Sequence, residues 1–264
     1  MKKNPCVQLD WGIDGLKLAL GNHDVVVIVD TLRFSTAIVT AVANGFTIYP
    51  FSDKEKGAHY AHGIGAEISG KSGEAKYSLS PSSFMNAADK ENKKVVVFSP
   101  NGAACAELVR EHDIAYIGCL LNAKVLGKQI DKVAIEKKKN ITVIAAGEQR
   151  AIDTGERIVY DLKEAQRVFA VEDYLGAGAI ISYSRLKKTS AAEVCELAFR
   201  ASQDKLKDLM LKSFSGKYLV QHNLTKDVEH AAQLNQYDII PIIRRRKIER
   251  LSQLLFSSIP EHTP

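Results

Sequence analysis

Val25-Val26-Val27-Ile28-Val29-Asp30-Thr31-Leu32-Arg33-Phe34-Ser35-Thr36-Ala37-Ile38-Val39 is the stretch on which the fold turns. Its unbroken β-branched run reads as a strand buried on both faces, since a strand with one wet face would alternate apolar and polar residues. A polar elbow, Asp30-Thr31, follows at once. Residues 35–44 then read as a helix of small and apolar side chains, closed by Gly45. The same unit recurs. Val95-Val96-Val97-Phe98 leads through the elbow Ser99-Pro100-Asn101-Gly102 into a helix over residues 103–111. Thr47-Ile48-Tyr49-Pro50, Ala115-Tyr116-Ile117-Gly118 and Ile141-Thr142-Val143-Ile144-Ala145 supply further strands. Apolar strands alternating with helices predict an α/β fold: a mostly parallel or mixed sheet with helices on both faces, a three-layer α/β/α arrangement. The length allows one domain over residues 1–264 or two closely packed lobes.

Open sheets of this kind bind ligands in the crevice beyond the strand C-termini, so the elbows are where function is expected. Residues 57–84, rich in Gly and Ser, are expected to form an extended excursion over that crevice. Residues 190–211 have helical periodicity, with Leu197, Ala198, Ala201 and Leu206 as the inner stripe. The chain returns to the core through Ile239-Ile240-Pro241-Ile242, and residues 242–264 read as an exposed basic tail.

The 264 residues carry 36 Lys and Arg against 31 Asp and Glu, a net charge of +5. That balance suits a small anionic ligand and is too mild to indicate nucleic acid. The basic run Arg244-Arg245-Arg246-Lys247 lacks the interleaved aromatics of a nucleic-acid surface and reads as solvated. Cys6, Cys105, Cys119 and Cys195 have neither CxxC nor metal-ligand spacing, which fits idle thiols in a reducing compartment. No apolar run reaches the roughly 18 residues of a membrane span. No apolar segment follows Lys2-Lys3 as it would in a secretion signal, so a cytoplasmic protein with no membrane contact is expected. Association as a homodimer stays open.

Gly65-Ala66-Glu67-Ile68-Ser69-Gly70-Lys71-Ser72 fits the phosphate-loop pattern GxxxxGK[ST], but Ala58-His59-Tyr60-Ala61-His62 before it is not strand-like. Gly73 and Pro81 after it are a poor helix start, so it reads as coincidence. Asp30 followed by Arg33 carries more. A carboxylate at a strand end can hold Mg²⁺, and a nearby guanidinium can clamp a phosphate or sulfonate through paired hydrogen bonds. The plainer alternative is an Asp–Arg ion pair at a helix start. Haloacid-dehalogenase phosphatases need a second Asp two positions on, where this chain has Leu32. Glu172-Asp173 precedes the glycine-spaced segment Tyr174-Leu175-Gly176-Ala177-Gly178-Ala179, which suggests a metal or acid–base role beside close backbone packing. The alternative there is an acidic first turn that suits the helix dipole. Ser80, Ser82, Asn101, Gly102 and Asn122 offer neutral donors at elbows, as caps or as ligand contacts.

Taken in order, these pieces resemble the 2-phosphosulfolactate phosphatase family. Residues 27–41 are similar to its signature V-V-I-D-V-L-R-A-T-T-T-I-V-T-A, and Asn101-Gly102 to the core of its T-T-N-G-T elbow. Ile117-Gly118-Cys119-Leu120-Leu121-Asn122-Ala123 is similar to I-G-S-L-L-N-A, and residues 169–180 to F-A-L-E-D-V-L-G-A-G-A-I. Ser80-Pro81, with Leu79 in place of Asn, matches its N-S-P turn in part. Asp227-Val228-Glu229 and Asp238-Ile239-Ile240-Pro241 fit its closing segment. The resemblance implies Mg²⁺-dependent hydrolysis of 2-phosphosulfolactate to sulfolactate and phosphate, a step of coenzyme M biosynthesis. For that reaction Asp30, Arg33 and Glu172 are expected as catalytic residues, and Asp30, with Glu172 or Asp173, as metal ligands, Asp30 being either a metal ligand or a covalent nucleophile. Ser80, Ser82, Asn101, Gly102, Asn122 and Glu148 would bind substrate. The chain departs from the pattern at Ser99, Pro100 and Ala103, which replace elbow threonines, and in extra residues between Glu148 and Phe169. Those departures favour two alternatives: a phosphatase for a different small phosphorylated acid, or a non-catalytic anion-binding protein of the same fold.

Overall fold

In the computed structural model, which describes residues 4–85, 93–149, 151–153, 158–160 and 167–252, Val25–Val29 is a strand with every residue buried. In chain order the strands are β1 (Cys6–Trp11), β2 (Val25–Val29), β3 (Thr47–Phe51), β4 (Glu67–Ile68), β5 (Lys94–Phe98), β6 (Ala115–Ile117) and β7 (Ile141–Ala145). They continue as β8 (Glu148–Gln149), β9 (Ala151–Asp153), β10 (Ile158–Tyr160), β11 (Arg167–Val168), β12 (Lys187–Lys188), β13 (Pro241–Arg244) and β14 (Lys247–Arg250). The helices are α1 (Gly12–Gly21), α2 (Phe34–Ala43), α3 (Lys54–Ile64), α4 (Ser82–Met85), α5 (Gly102–Glu107) and α6 (Ala123–Lys137). After these come α7 (Val171–Ser182), α8 (Ser190–Ser202), α9 (Leu206–Lys212), α10 (Phe214–Gln221) and α11 (Thr225–Ala231).

One sheet in the order β12-β1-β7-β2-β6-β13-β14-β3-β5-β4 holds the molecule together. β12, β1, β7, β2 and β6 are mutually parallel, as are β3, β5 and β4. The hairpin β13–β14 joins the two groups by antiparallel pairing to β6 and to β3. The mixed, mostly parallel α/β fold expected from the sequence is thus present, with an apolar core on each face. One core packs β2 and β7 against α6, α7, α8 and α9; the other gathers β2, β3 and β5 around α2. Phe34 to Val42 are all buried, which explains why α2 has no charged, solvent-facing stripe; its polar side chains Thr36 and Thr40 bond back to the helix's own carbonyls or to its start. Among the described residues no helix is long and apolar enough to cross a membrane.

Three sequence expectations are corrected. Residues 242–250 are not a tail: Ile242, Ile243 and Ile248 are core residues of the β13–β14 hairpin, and the rest of that expectation, residues 253–264, lies outside the described residues. The hairpin turns on Arg245 and Arg246, both with positive φ (47° and 63°), the geometry of a tight hairpin turn. The Gly/Ser-rich excursion begins as the regular helix α3, capped by the Asp53 carboxylate on the Lys56 N–H and ended by left-handed Gly65. On α8 the inner stripe is Ala192, Cys195 and Phe199, while Leu197 points outward at 60% exposure. Leu206 does face inward, from α9.

Candidate active site

β2 ends at Val29, and the chain turns through Asp30 into α2. Several local bonds fix that turn. The Asp30 N–H donates to Ser35 Oγ at 2.9 Å, Thr36 Oγ1 donates to the Thr31 carbonyl at 2.7 Å, and the Ser35 N–H donates to the Asp30 carbonyl. The Asp30 carboxylate is thereby aimed at the elbow after β5, where the Gly102 N–H donates to its Oδ2 at 2.7 Å. A Cβ on Gly102 would lie 2.7 Å from that same oxygen and 2.2 Å from the Phe34 ring, so only glycine lets the backbone approach. Ser99, at a position where the family pattern has a threonine, keeps a hydroxyl at the elbow. It accepts from the N–H groups of Asn101 and Gly102 and lies 3.5 Å from Asp30 Oδ2.

Three more carboxylates surround Asp30. Glu148, just past β7, accepts from the Asn101 amide, the Gln149 N–H (2.9 Å) and Ser215 Oγ (3.1 Å). Glu172 and Asp173 occupy the first turn of α7, and both are buried. Asp173 accepts from the Thr31 N–H at 2.7 Å and the Gly147 N–H at 2.9 Å, clamping the ends of β2 and β7 together. α7 can sit this close because Gly176 packs on Thr31 and Val29, and Gly178 on the α8 backbone at Cys195.

Burial pushes all four acids up. Asp30 rises to about 6, held back by the Gly102 and Phe34 N–H groups and by the charge of Arg167. Glu148 rises to about 7, from burial first and then the charge of Asp30. Asp173 is raised well above the carboxylate range by burial, then by Asp30 and Glu172. Glu172 is raised by burial and restrained by the Ser215 and Ser213 hydroxyls. Arg167 brings a positive charge to this cluster; its guanidinium donates to Asn101 Oδ1 and the Pro100 carbonyl, each at 2.8 Å.

A second network lies beside the first. Arg33 Nη1 donates to Asp227 at 2.8 Å and to Ser72 Oγ at 3.0 Å; Ser80 Oγ donates to the other Asp227 oxygen at 2.5 Å and lies 3.1 Å from Ser82 Oγ. The plainer reading of Arg33 is right that it forms an ion pair, but the partner is Asp227 on α11, not Asp30. Both networks meet a cavity of about 470 Å³ lined by Asp30, Leu32, Arg33, Leu79, Ser99, Pro100, Asn101, Glu148, Gln149, Ser215, Tyr218 and Leu219.

Two sequence-predicted contacts have other work. Asn122 is fully buried: its amide donates to the carbonyls of Ile117 and Ile239, and its oxygen accepts from the Cys119 N–H. No donor is left for a substrate. The Gly102 N–H is likewise committed to Asp30 and Ser99. The phosphate-loop match is no cradle, since Gly65 ends α3 and Lys71 is 80% exposed beside Glu74; its last residue, Ser72, nevertheless reaches Arg33. Arg167, Asp227, Ser99 and Ser215 were not singled out from the sequence for this site. Asp227 sits in the closing segment that resembles the family, which was the available signal.

The donor set fits a hard divalent cation. Three buried carboxylates, Asp30, Glu172 and Asp173, and the part-buried Glu148 must keep protons or gain positive charge, and oxygen is what Mg²⁺ prefers. Among the described residues no three such side chains already converge as a cage. Mg²⁺ commonly takes one or two carboxylates and completes its shell with water and phosphate oxygens. Asp173 is the least available donor, both its oxygens being held by backbone N–H groups at 2.7 and 2.9 Å; Asp30 lines the cavity, and its Oδ1 has only a 3.4 Å contact from the Phe34 N–H, although Oδ2 is held by Gly102.

Known proteins resemble this chain along most of its length. A family model described as 2-phosphosulpholactate phosphatase matches residues 15–246. The chain is 25% identical over 242 residues to a probable 2-phosphosulfolactate phosphatase of Caldanaerobacter subterraneus subsp. tengcongensis, covering 86% of this chain and 90% of that protein. It is 26% identical over 232 residues to a protein of the same description from Carboxydothermus hydrogenoformans, covering 85% and 88% respectively. A third, from Symbiobacterium thermophilum, is 25% identical over 238 residues, covering 85% and 93%.

Proposed function

Because the chain belongs to the 2-phosphosulfolactate phosphatase family, we propose that it hydrolyses the phosphate monoester of 2-phosphosulfolactate, or of a closely similar phosphorylated acid, at the carboxylate cluster around Asp30, with Mg²⁺ as cofactor. The observation that carries this reading is that Asp30, Glu148, Glu172 and Asp173 are near enough to feel one another's charge, and that Asp30 and Glu148 line a cavity together with Arg33. Buried acids in such number are costly for an apo protein and suit one that holds a cation and handles protons.

Phosphate monoesters hydrolyse extremely slowly unaided, and the work of a phosphatase is to neutralise the phosphoryl oxygens and present a water in line. Asp30 and Glu172 would hold Mg²⁺, which when bound supplies charge neutralisation and makes a water more acidic. Asn101, fixed between Glu148 and Arg167, orients the phosphoryl group at the elbow. Glu148, at about 7, is suited to take a proton from the attacking water. As the water oxygen bonds to phosphorus, the phosphorus–oxygen bond to the substrate carbon chain breaks, and the departing alkoxide takes up the proton that Glu148 removed, leaving as sulfolactate. Substrate identity is tested by phosphate release from a panel: 2-phosphosulfolactate, 2-phospholactate, 2-phosphoglycolate and glycerol 3-phosphate, each with Mg²⁺. The reading expects kcat/KM for 2-phosphosulfolactate at least about tenfold above the others. Binding of sulfolactate with no turnover of any of the four would favour the anion-binding alternative.

A further inference from the structure

We infer that Arg33 does not hold the phosphoryl group at all: it reads the substrate's second acid group, and Asp227 and Ser72 are the frame that fixes it for that task. This rests on the phosphatase reading above and assigns which acid group of its substrate Arg33 meets.

The cavity lining is mixed. Asp30, Ser99, Asn101, Glu148, Gln149 and Ser215 are polar, two of them acids; Leu32, Leu79, Tyr218 and Leu219 are largely apolar, and Arg33 is the one cation among the described lining residues. No hydrogen bond joins the Arg33–Asp227–Ser80–Ser72 network to the Asp30–Glu148–Asn101 network among the described residues. A group undergoing displacement needs the cation, the nucleophilic water and the proton acceptor together, and Asp30 and Glu148, the candidates for those roles that line the cavity, both belong to the network without Arg33.

The bonding of Arg33 itself points the same way. Both of its internal hydrogen bonds leave from Nη1; Nε and Nη2 have no partner among the described residues, and the side chain is 17% exposed. The guanidinium is anchored through Nη1 while Nε and Nη2 keep their donors for a ligand in the cavity that Arg33 lines, where a charge-assisted pair is strong. Asp227 cancels part of its charge. A group so neutralised and so rigid suits a static acid group, not a phosphoryl whose geometry changes through the reaction. A phosphorylated acid carries such a group on a carbon close to the ester oxygen.

The test is calorimetric titration, with Mg²⁺ present throughout, of sulfolactate (acid groups, no phosphoryl) and of inorganic phosphate. Removing Arg33 alone would strand Asp227 as a buried unpaired charge. The variants are therefore Arg33→Lys, which keeps the ion pair but loses the fork, and the double variant Arg33→Met with Asp227→Asn. Both should weaken sulfolactate by about 30-fold or more while phosphate changes by less than about threefold. Asp227→Asn alone should weaken sulfolactate several-fold and spare phosphate, whereas a merely structural role would move both. Equal loss of both ligands, a selective loss of phosphate, no change in either, or a wild type that does not bind sulfolactate would overturn the inference. Wild-type turnover of 2-phosphosulfolactate, measured alongside, separates the two failures. Turnover with phosphate-selective loss removes this inference alone; absent turnover with Arg33-dependent sulfolactate binding removes the phosphatase reading alone.

Discussion

Asp30 stands at a helix start, facing backbone N–H groups that would favour any anion there, whether its own carboxylate or a substrate's. An acid in that position competes with an anionic substrate unless a cation lies between them. Asn has the same shape and no charge, which makes Asp30→Asn the informative substitution. It should lower kcat by about a hundredfold or more. It should leave the apo protein as stable as wild type or more so, because one member of a self-repelling cluster is removed. Steady-state kinetics and urea unfolding check the two halves separately, and unfolding of the variant under native conditions would mean that Asp30 is structural instead. This residue was readable from the sequence, because a run buried on both faces leaves its first polar residue at the sheet's edge. Asp227 was not: its partners Arg33 and Ser80 lie 194 and 147 positions away, and only the tertiary fold brings them together.

At the scale of elements, α7 delivers two acids to the site and does so by packing closer than side chains permit. A Cβ on Gly176 would sit 2.6 Å from Thr31 Oγ1; one on Gly178 would sit 2.4 Å from the Cys195 carbonyl. The consequences differ by face. Gly178→Ala pushes α7 off α8, away from the cluster, and should cost about 1–3 kcal/mol in urea unfolding with kcat nearly kept. Gly176→Ala pushes on Thr31, next to Asp30, and should lower kcat as well as stability. Equal kcat in the two variants would contradict this placement of α7. The glycine spacing announced the packing in the sequence. The β13–β14 hairpin was hidden for the opposite reason. Its turn residues, Arg245 and Arg246, take positive φ without the Asn or Gly that normally signals such a turn, so a central pair of strands looked like a basic tail. The phase of α8 was misread because Leu197 and Ala201 are as apolar as the residues that do face inward.

For the molecule as a whole, the acid cluster ties stability to pH and to cations. Asp30 and Glu148 have folded-state values near 6 and 7, above those of the unfolded chain. Groups raised in this way contribute stability that is fully present below about pH 4 and is lost as pH rises through 6 and 7. A cation bound only by the folded state restores it, by about 2.7 kcal/mol at a hundred times its Kd. The Tm difference between Mg²⁺ and EDTA should therefore be small at pH 5 and grow towards pH 8, and a difference independent of pH would contradict the cluster's role as the cation site. The claim that these carboxylates form a cation-dependent phosphatase centre is tested most directly by phosphate release from 2-phosphosulfolactate in EDTA, and again after excess Mg²⁺ is added. The account predicts no release above background in EDTA, recovery with Mg²⁺, and no recovery in the Asp30→Asn protein. Undiminished release in EDTA, or full Mg²⁺-dependent activity without the Asp30 carboxylate, would contradict it.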